Sequence, residues 1–215
     1  MISLHVPKSL ITAFLSFALA FASVLAGATE STFKQSAELG KRTAKTSEDL
    51  DKYVAQLDKT EQALSSLSNA ESEGLKARYE SFSKEVKRLV EAEEQATSDI
   101  DEMKSQGAKY FSSWDDSISE ISDPELKQAS IERRSKVMKD HDELAATLSD
   151  IGRQLQPFMS NLEDLQSFLG ADLSPANVGK AGGRIQKSHA DAEALKDKIA
   201  TAQTTLSQFL SEAPK

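Results

Sequence analysis

Beyond its first thirty positions, this 215-residue chain carries two histidines and a scatter of paired carboxylates as its chemistry-bearing groups. His141-Asp142-Glu143 sets one imidazole beside two carboxylates, a donor set that a metal ion could use. On a helix, however, successive side chains point about 100° apart, so these three do not converge. His141 therefore reads as a solvated or seam-edge residue, and His189, beside Asp191 and Glu193, reads the same way. Carboxylates pair at Asp115-Asp116, at Glu93-Glu94 and at Asp99 with Asp101. General acid–base work needs such groups in a water-poor pocket with separated pKa values, and a narrow bundle of helices offers no such pocket. Gly179-Lys180-Ala181-Gly182-Gly183-Arg184 is glycine-rich enough to cradle an anion, but it lacks the P-loop spacing and follows no strand. It reads as close packing or local softening of a helix. No GxSxG elbow occurs. With no cysteine, thiolate catalysis, disulfides and cysteine-bound zinc or iron–sulfur clusters are excluded. The expectation is no catalytic, cofactor-binding or metal residue, and no enzyme.

An aromatic patch is the sharpest lead. Tyr110, Phe111, Trp114 and Ile118 form the candidate interaction patch. Tyr110 and Trp114 fall on the helix's apolar seam, so core packing explains them without any partner. Phe111 lies one position off that seam and, with Ile118, widens the apolar face there. A widened face at a helix tip could dock a partner helix or touch a membrane. Glu132-Arg133-Arg134 could receive a phosphate or a carboxylate, and also suits local ion pairs worth a few tenths of a kcal/mol each.

The elements that position these residues are long helices. Only 9 glycines and 5 prolines punctuate the chain, so turns are few. Aromatic residues are 6% of the total, which suits a narrow apolar stripe better than a thick core. The clearest stripe is Leu75, Phe82, Leu89, Ala96, Met103 and Tyr110, seven apart, interleaved with Tyr79, Val86, Ile100, Trp114 and Ile121. Glu93 and Gly107 break it. Alternating steps of three and four are a coiled-coil seam, here on a helix about 70 Å long. Asp123-Pro124-Glu125 then caps and starts a third helix. Its stripe reads Ile131, Met138 and Ala145, then shifts to Leu148, Ile151, Leu155, Phe158, Leu162, Leu165 and Leu169. Pro157 inside it predicts a kink, and Gly170 a stop. Ser174-Pro175 opens a fourth helix on Val178, Ala181, Ile185, Ala192, Leu195, Ile199, Ala202, Leu206 and Phe209. The first helix is the weakest, with Leu50, Val54, Leu57, Leu64 and Leu67 preceded by a frayed stretch over Thr32–Thr46. Residues 68–74 either turn or continue into the second helix. Helices two and three, near 50 residues each against about 38 for the others, predict a projecting hairpin around residues 110–135 in an up-down-up-down bundle. Both ends of the folded portion should lie on one side.

The start of the chain reads as an address. Lys8 precedes an apolar or small run from Ser9 to Ala28, ending Ala26-Gly27-Ala28 in the small-x-small pattern of signal-peptidase sites. Residues 1–28 are expected to be a signal peptide cleaved after Ala28, with an uncleaved anchor as the alternative. Position 28 is Ala where lipid attachment requires Cys. Lys8 is the one Lys or Arg in that segment, so residues 29–215 keep 25 bases against 34 acids, a net charge of −9. That sign opposes nucleic-acid binding and a polybasic membrane surface.

The export signal, the long seam, Tyr110-Phe111-Ser112-Ser113-Trp114-Asp115-Asp116, Ser130-Ile131-Glu132-Arg133-Arg134, Leu155-Gln156-Pro157-Phe158 and the closing helix from Ser174 occur together. In these the chain resembles a bacterial family catalogued as domain of unknown function 2959, across nearly all of residues 29–215. The resemblance implies an exported coiled-coil protein with no assigned activity, and it carries no functional residues. Some relatives bear a DNA-repair ATPase label, which the absent P-loop opposes. The reading is an all-α protein: an elongated antiparallel helical bundle, or coiled coil, of about four long helices in a single domain over 29–215. It is expected in the periplasm or cell envelope as a structural or protein-interaction component. Its partners would be a protein or a second copy of itself through helices, with no nucleic acid, no cofactor, and membrane contact only through an uncleaved first segment. The alternative is a binding or chaperone-like bundle for an apolar client.

Overall fold

The computed structural model describes residues 30–69 and 73–212 of the chain. The proposed signal peptide, residues 1–28, lies outside them. Four helices follow in order: α1 (Glu30–Ser68), α2 (Leu75–Ser119), α3 (Pro124–Ala171) and α4 (Pro175–Glu212). The helices pack as a ring, α1 on α2, α2 on α3, α3 on α4 and α4 back on α1. This is the expected antiparallel bundle, and α1 and α2 are separate helices. Gly74, at φ 83°, enters α2 through the left-handed region that a glycine adopts without a Cβ penalty.

Helix α1 is not frayed. It begins at Glu30, and Thr32, Ser36, Thr43 and Thr46 are buried. Small side chains let α1 approach α2 closely, and their hydroxyls find partners across the interface. Thr32 Oγ1 donates to the Ser113 carbonyl at 2.8 Å, Thr46 Oγ1 to the Asp99 carbonyl at 3.2 Å and Thr60 Oγ1 to the Glu85 carbonyl at 3.3 Å. A hydroxyl-rich stretch looks like weak helix when only apolar residues are counted. Here the hydroxyls are hydrogen-bonded, so their burial is not penalised.

The seam of α2 is buried from Leu75 through Tyr110 and Trp114, with Tyr79 and Ile100 half-buried; Ile121 lies past the helix end. In α3 the upstream stripe corrects the expectation. The buried positions are Val137, His141 and Leu144, in register with Leu148, Ile151, Leu155, Phe158, Leu162, Leu165 and Leu169. The seam does not shift. Ile131, Met138 and Ala145 sit one position to its side, and Ile131 is exposed. Asp123 caps α3 as its sequence implies, its Oδ1 accepting from Glu125 N at 2.9 Å and Leu126 N at 3.0 Å. Gly170 is no stop, because α3 runs on to Ala171. Its missing Cβ instead makes room for Tyr79, whose hydroxyl oxygen would lie 2.5 Å from a Cβ there. Helix α3 passes through Pro157 without ending, and that residue faces solvent. The whole stripe expected of α4 is buried.

Candidate interaction surface

The four patch residues meet where α2 ends. Tyr110, Phe111, Trp114 and Ile118 are all buried, with Tyr110 ring centroids 5.2 Å from Phe111 and 5.3 Å from Trp114. The side chains themselves therefore pack inward, and Trp114 Nε1 donates to Ser130 Oγ of α3 at 3.3 Å. Burial pushes the Tyr110 hydroxyl's pKa up, and a hydrogen bond with Ser36 partly offsets this.

Next to them sits His141, buried at a seam position of α3. Its ring meets Phe111 edge-on at 5.4 Å and Phe209 of α4 at 5.9 Å. It faces Gly107, where a Cβ would stand 2.2 Å from His141 Nε2. The two breaks in the apolar pattern thus fit each other: a glycine hollow in α2 accepts an imidazole from α3. His141 Nδ1 lies 3.3 Å from Asp142 Oδ1, while Nε2 is buried without a hydrogen-bond partner. Seam-edge placement underestimated it. Stepping back from Leu148 by four, three and four reaches Leu144, His141 and Val137, so the signal was present in the sequence.

Arg134 continues the same seam. Its guanidinium lies 5.6 Å from the Phe111 ring centre and pairs with Asp115 Oδ2 at 2.6 Å. It is a bracket between α3 and α2 rather than a receiver for a free anion. Glu132 accepts from Gln128 at 2.9 Å.

The surroundings of this cluster change along the bundle. Near its end α4 meets α3 through Phe209 against His141 and α1 through Gln203 against Asp51. Helix α4 ends at Glu212. Stepping from those contacts at the common helical rise leaves about 20 Å of α3 and slightly less of α1 with no fourth helix beside them among the described residues. On α1, Thr32 contacts Ser113 and Ser117, so the described part of α1 reaches nearly to the end of α2. The hairpin projects beyond α4. Large apolar side chains are exposed at Leu126 (56%), Phe33 (43%) and Ile131 (39%) in this region, and at Phe168 (43%) at the other end of the molecule.

The other candidate groups serve packing. His189 bridges helices, its Nδ1 3.2 Å from Glu61 Oε1 and its Nε2 3.2 Å from Ser65 Oγ, and engages neither Asp191 nor Glu193. Lys196 reaches Asp58 at 2.9 Å and Glu61 at 2.6 Å. Partial burial pushes the Lys196 pKa down, and hydrogen bonds to Asp58, Glu193 and Glu61 raise it by more. Asp49 and Asp99 are buried between α1 and α2, each paired with Lys45. Desolvation opposes the charge of Asp49, but a hydrogen bond with Asp99, then those from Lys52 and Lys45, hold its carboxyl well below the usual carboxylate range. No group of three or more His, Cys, Asp or Glu side chains suited to a metal occurs among the described residues. Gly179, Gly182 and Gly183 have no atom within 4 Å of a built Cβ, so neither packing nor a cradle explains them. Beside them, a shallow cleft of about 350 Å³ is lined by Asp164, Leu165, Phe168, Lys180, Ala181 and Arg184. Among the described residues, no helix is long and apolar enough to cross a membrane.

No curated protein matches the chain, and no solved structure does. One family model matches over residues 32–213, the bundle from the first turn of α1 to the end of α4. The chain belongs to the family described as Protein of unknown function (DUF2959).

Proposed function

We propose that this is an exported bacterial envelope protein that acts by helix–helix association, without catalysis. The observation that carries the association is the end of the bundle that outruns α4. There Leu126, Phe33 and Ile131 stay exposed beside a buried seam. Exposed apolar side chains gathered at one end are a cost in isolation and a gain once covered, at about 25 cal/mol per Å² removed from water. Export rests on the sequence alone, on the apolar run Ser9–Ala28 and its Ala26-Gly27-Ala28 ending. The alternative, a chaperone-like bundle, would need an adaptable groove, and 4 methionines give little flexible lining for one.

In-cell photo-crosslinking from Phe33 and Leu126, combined with fractionation and intact-mass analysis, tests the proposal. The expected result is a chain beginning at Thr29 in the envelope fraction, with protein adducts at both positions. Recovery of a chain with residues 1–28 intact in the cytoplasm would sink the export reading. Absence of any protein adduct would sink the association.

A further inference from the structure

We infer that the open end of the bundle pairs with the same end of a second copy. In this pair, related by a two-fold axis, the start of α3 of each chain lies in the place where α4 is missing from the other. The inference rests on the proposal of helix–helix association and names its partner and its surface.

Three observations converge. First, there is room of the right shape. Among the described residues, about 20 Å of α3 and a comparable length of α1 run on beyond Glu212 without a fourth helix, and the vacated place is one helix wide. Second, two of the exposed apolar groups there, Leu126 and Phe33, flank it. Leu126 lies five heptads before Asn161 and six before Phe168. Asn161 Nδ2 donates to Ser188 Oγ of α4 at 2.7 Å, and Phe168 lines the cleft shared with α4. Phe33 lies four heptads before Glu61, whose carboxylate meets His189 and Lys196 of α4. Because both seams hold a seven-residue register, Leu126 and Phe33 occupy the α4-facing flanks of α3 and α1.

Third, the hairpin is charged in a self-complementary way. From Tyr110 to Asp123, the end of α2 and the turn carry Asp115, Asp116, Glu120 and Asp123 and no Lys or Arg. From Pro124 to Lys139, α3 carries Lys127, Arg133, Arg134, Lys136 and Lys139 against Glu125 and Glu132. Arg134 pairs with Asp115 within the chain, Lys136 with Asp140 and Lys139 with Glu143, so the charge that meets across the pair is the remainder, cationic at the start of α3 and anionic at the end of α2. A two-fold axis sets the cationic strip of one copy against the anionic strip of the other, and the same again in reverse, which is the isologous arrangement. An anionic membrane surface would meet the four carboxylates as well as the cations, so a second copy is the better fit.

The chain has no cysteine, so a single introduced thiol reports without background. Leu126→Cys and, as a control at the opposite end, Phe168→Cys are made in the full chain, produced in bacterial cells and treated there with a short bismaleimide. Leu126→Cys is expected to give covalent dimer, and Phe168→Cys little. Adding Lys127→Glu and Arg133→Glu to Leu126→Cys should cut the dimer about fivefold through like-charge opposition. Further adding Asp116→Lys and Glu120→Lys should restore it, a rescue that a folding defect would not give. No dimer from Leu126→Cys, or as much from Phe168→Cys, overturns the pairing. Adducts from Leu126→Cys to other proteins, without dimer, overturn it too while leaving the broader association proposal standing.

Discussion

Gly107 and His141 show how a residue that breaks a pattern can be explained by a second break. Neither is apolar bulk, and each sits in a seam of apolar bulk. The hollow of one is the volume of the other. Gly107→Ala should therefore destabilise the bundle by about 1–3 kcal/mol, as overpacking does. His141→Ala should cost a similar amount by leaving a cavity. The double variant should cost clearly less than the sum, since the added methyl then has space. Urea denaturation of the three variants checks this, and strict additivity would show that the two side chains do not meet. Asp49 gives a second prediction at this scale. Its folded-state pKa is lowered by Asp99, Lys52 and Lys45, so its stabilisation is present above the ordinary carboxylate range. It is lost as pH falls from about 4 toward the depressed folded value. Melting temperatures recorded between neutral pH and pH 3 should fall on the acid side, and Asp49→Asn should flatten that fall. An unchanged acid slope in the variant would place the proton uptake elsewhere.

Most of the elements were legible because their seams are regular. Leu75 to Tyr110 on α2 and Val178 to Phe209 on α4 are spaced as heptads, and each lies buried. Asp123 and Ser174-Pro175 marked starts through local chemistry that acts within one turn. Two parts were harder to read. Helix α1 hides its partner-facing side in Thr32, Ser36, Thr43 and Thr46, hydroxyl residues whose value depends on carbonyls of α2 that no local pattern reveals. The start of α3 misled because Ile131 and Met138 are apolar by type yet sit beside the seam, while His141 and Arg134 occupy it. The aromatic patch was legible as a cluster, but whether it faces in or out depended on how far α1 and α3 extend past it. At this scale the glycines of α4 make a clean prediction. Gly179, Gly182 and Gly183 lie within the helix with open space around each missing Cβ. Each change to Ala should raise stability by about 0.5–1 kcal/mol through helix propensity. A drop in melting temperature for any of them would reveal a neighbour that the fold does not explain.

The molecule as a whole is a rod whose cross-section changes along its length. Among the described residues, four helices fill it through most of its run, and three at the end where α4 stops. One copy should measure about 70 Å, set by α3. Small-angle scattering of the purified protein would read that length for a lone chain. It would read roughly 120 Å for two chains overlapping at their open ends, from the same helical rise. A maximum dimension that stays near that of one chain at high concentration would count against end-to-end pairing.

The hydroxyl-lined contact between α1 and α2 has a mechanical consequence. These two helices pack most closely of the four adjacent pairs, and α1 hydroxyls donate to the α2 backbone carbonyls of Ser113, Asp99 and Glu85. The contact of α2 with α3 is the thinnest. A rod built this way does not yield evenly. Under tension or thermal agitation it should part first between α2 and α3, swinging on the Asp123 turn, while α1 and α2 stay zipped as a stiff spine. Amide hydrogens of α1 and α2 along their shared face should then exchange last. Those of residues 124–136 should exchange early, so the flank bearing Leu126 is also the part of the rod most free to adapt to whatever it meets.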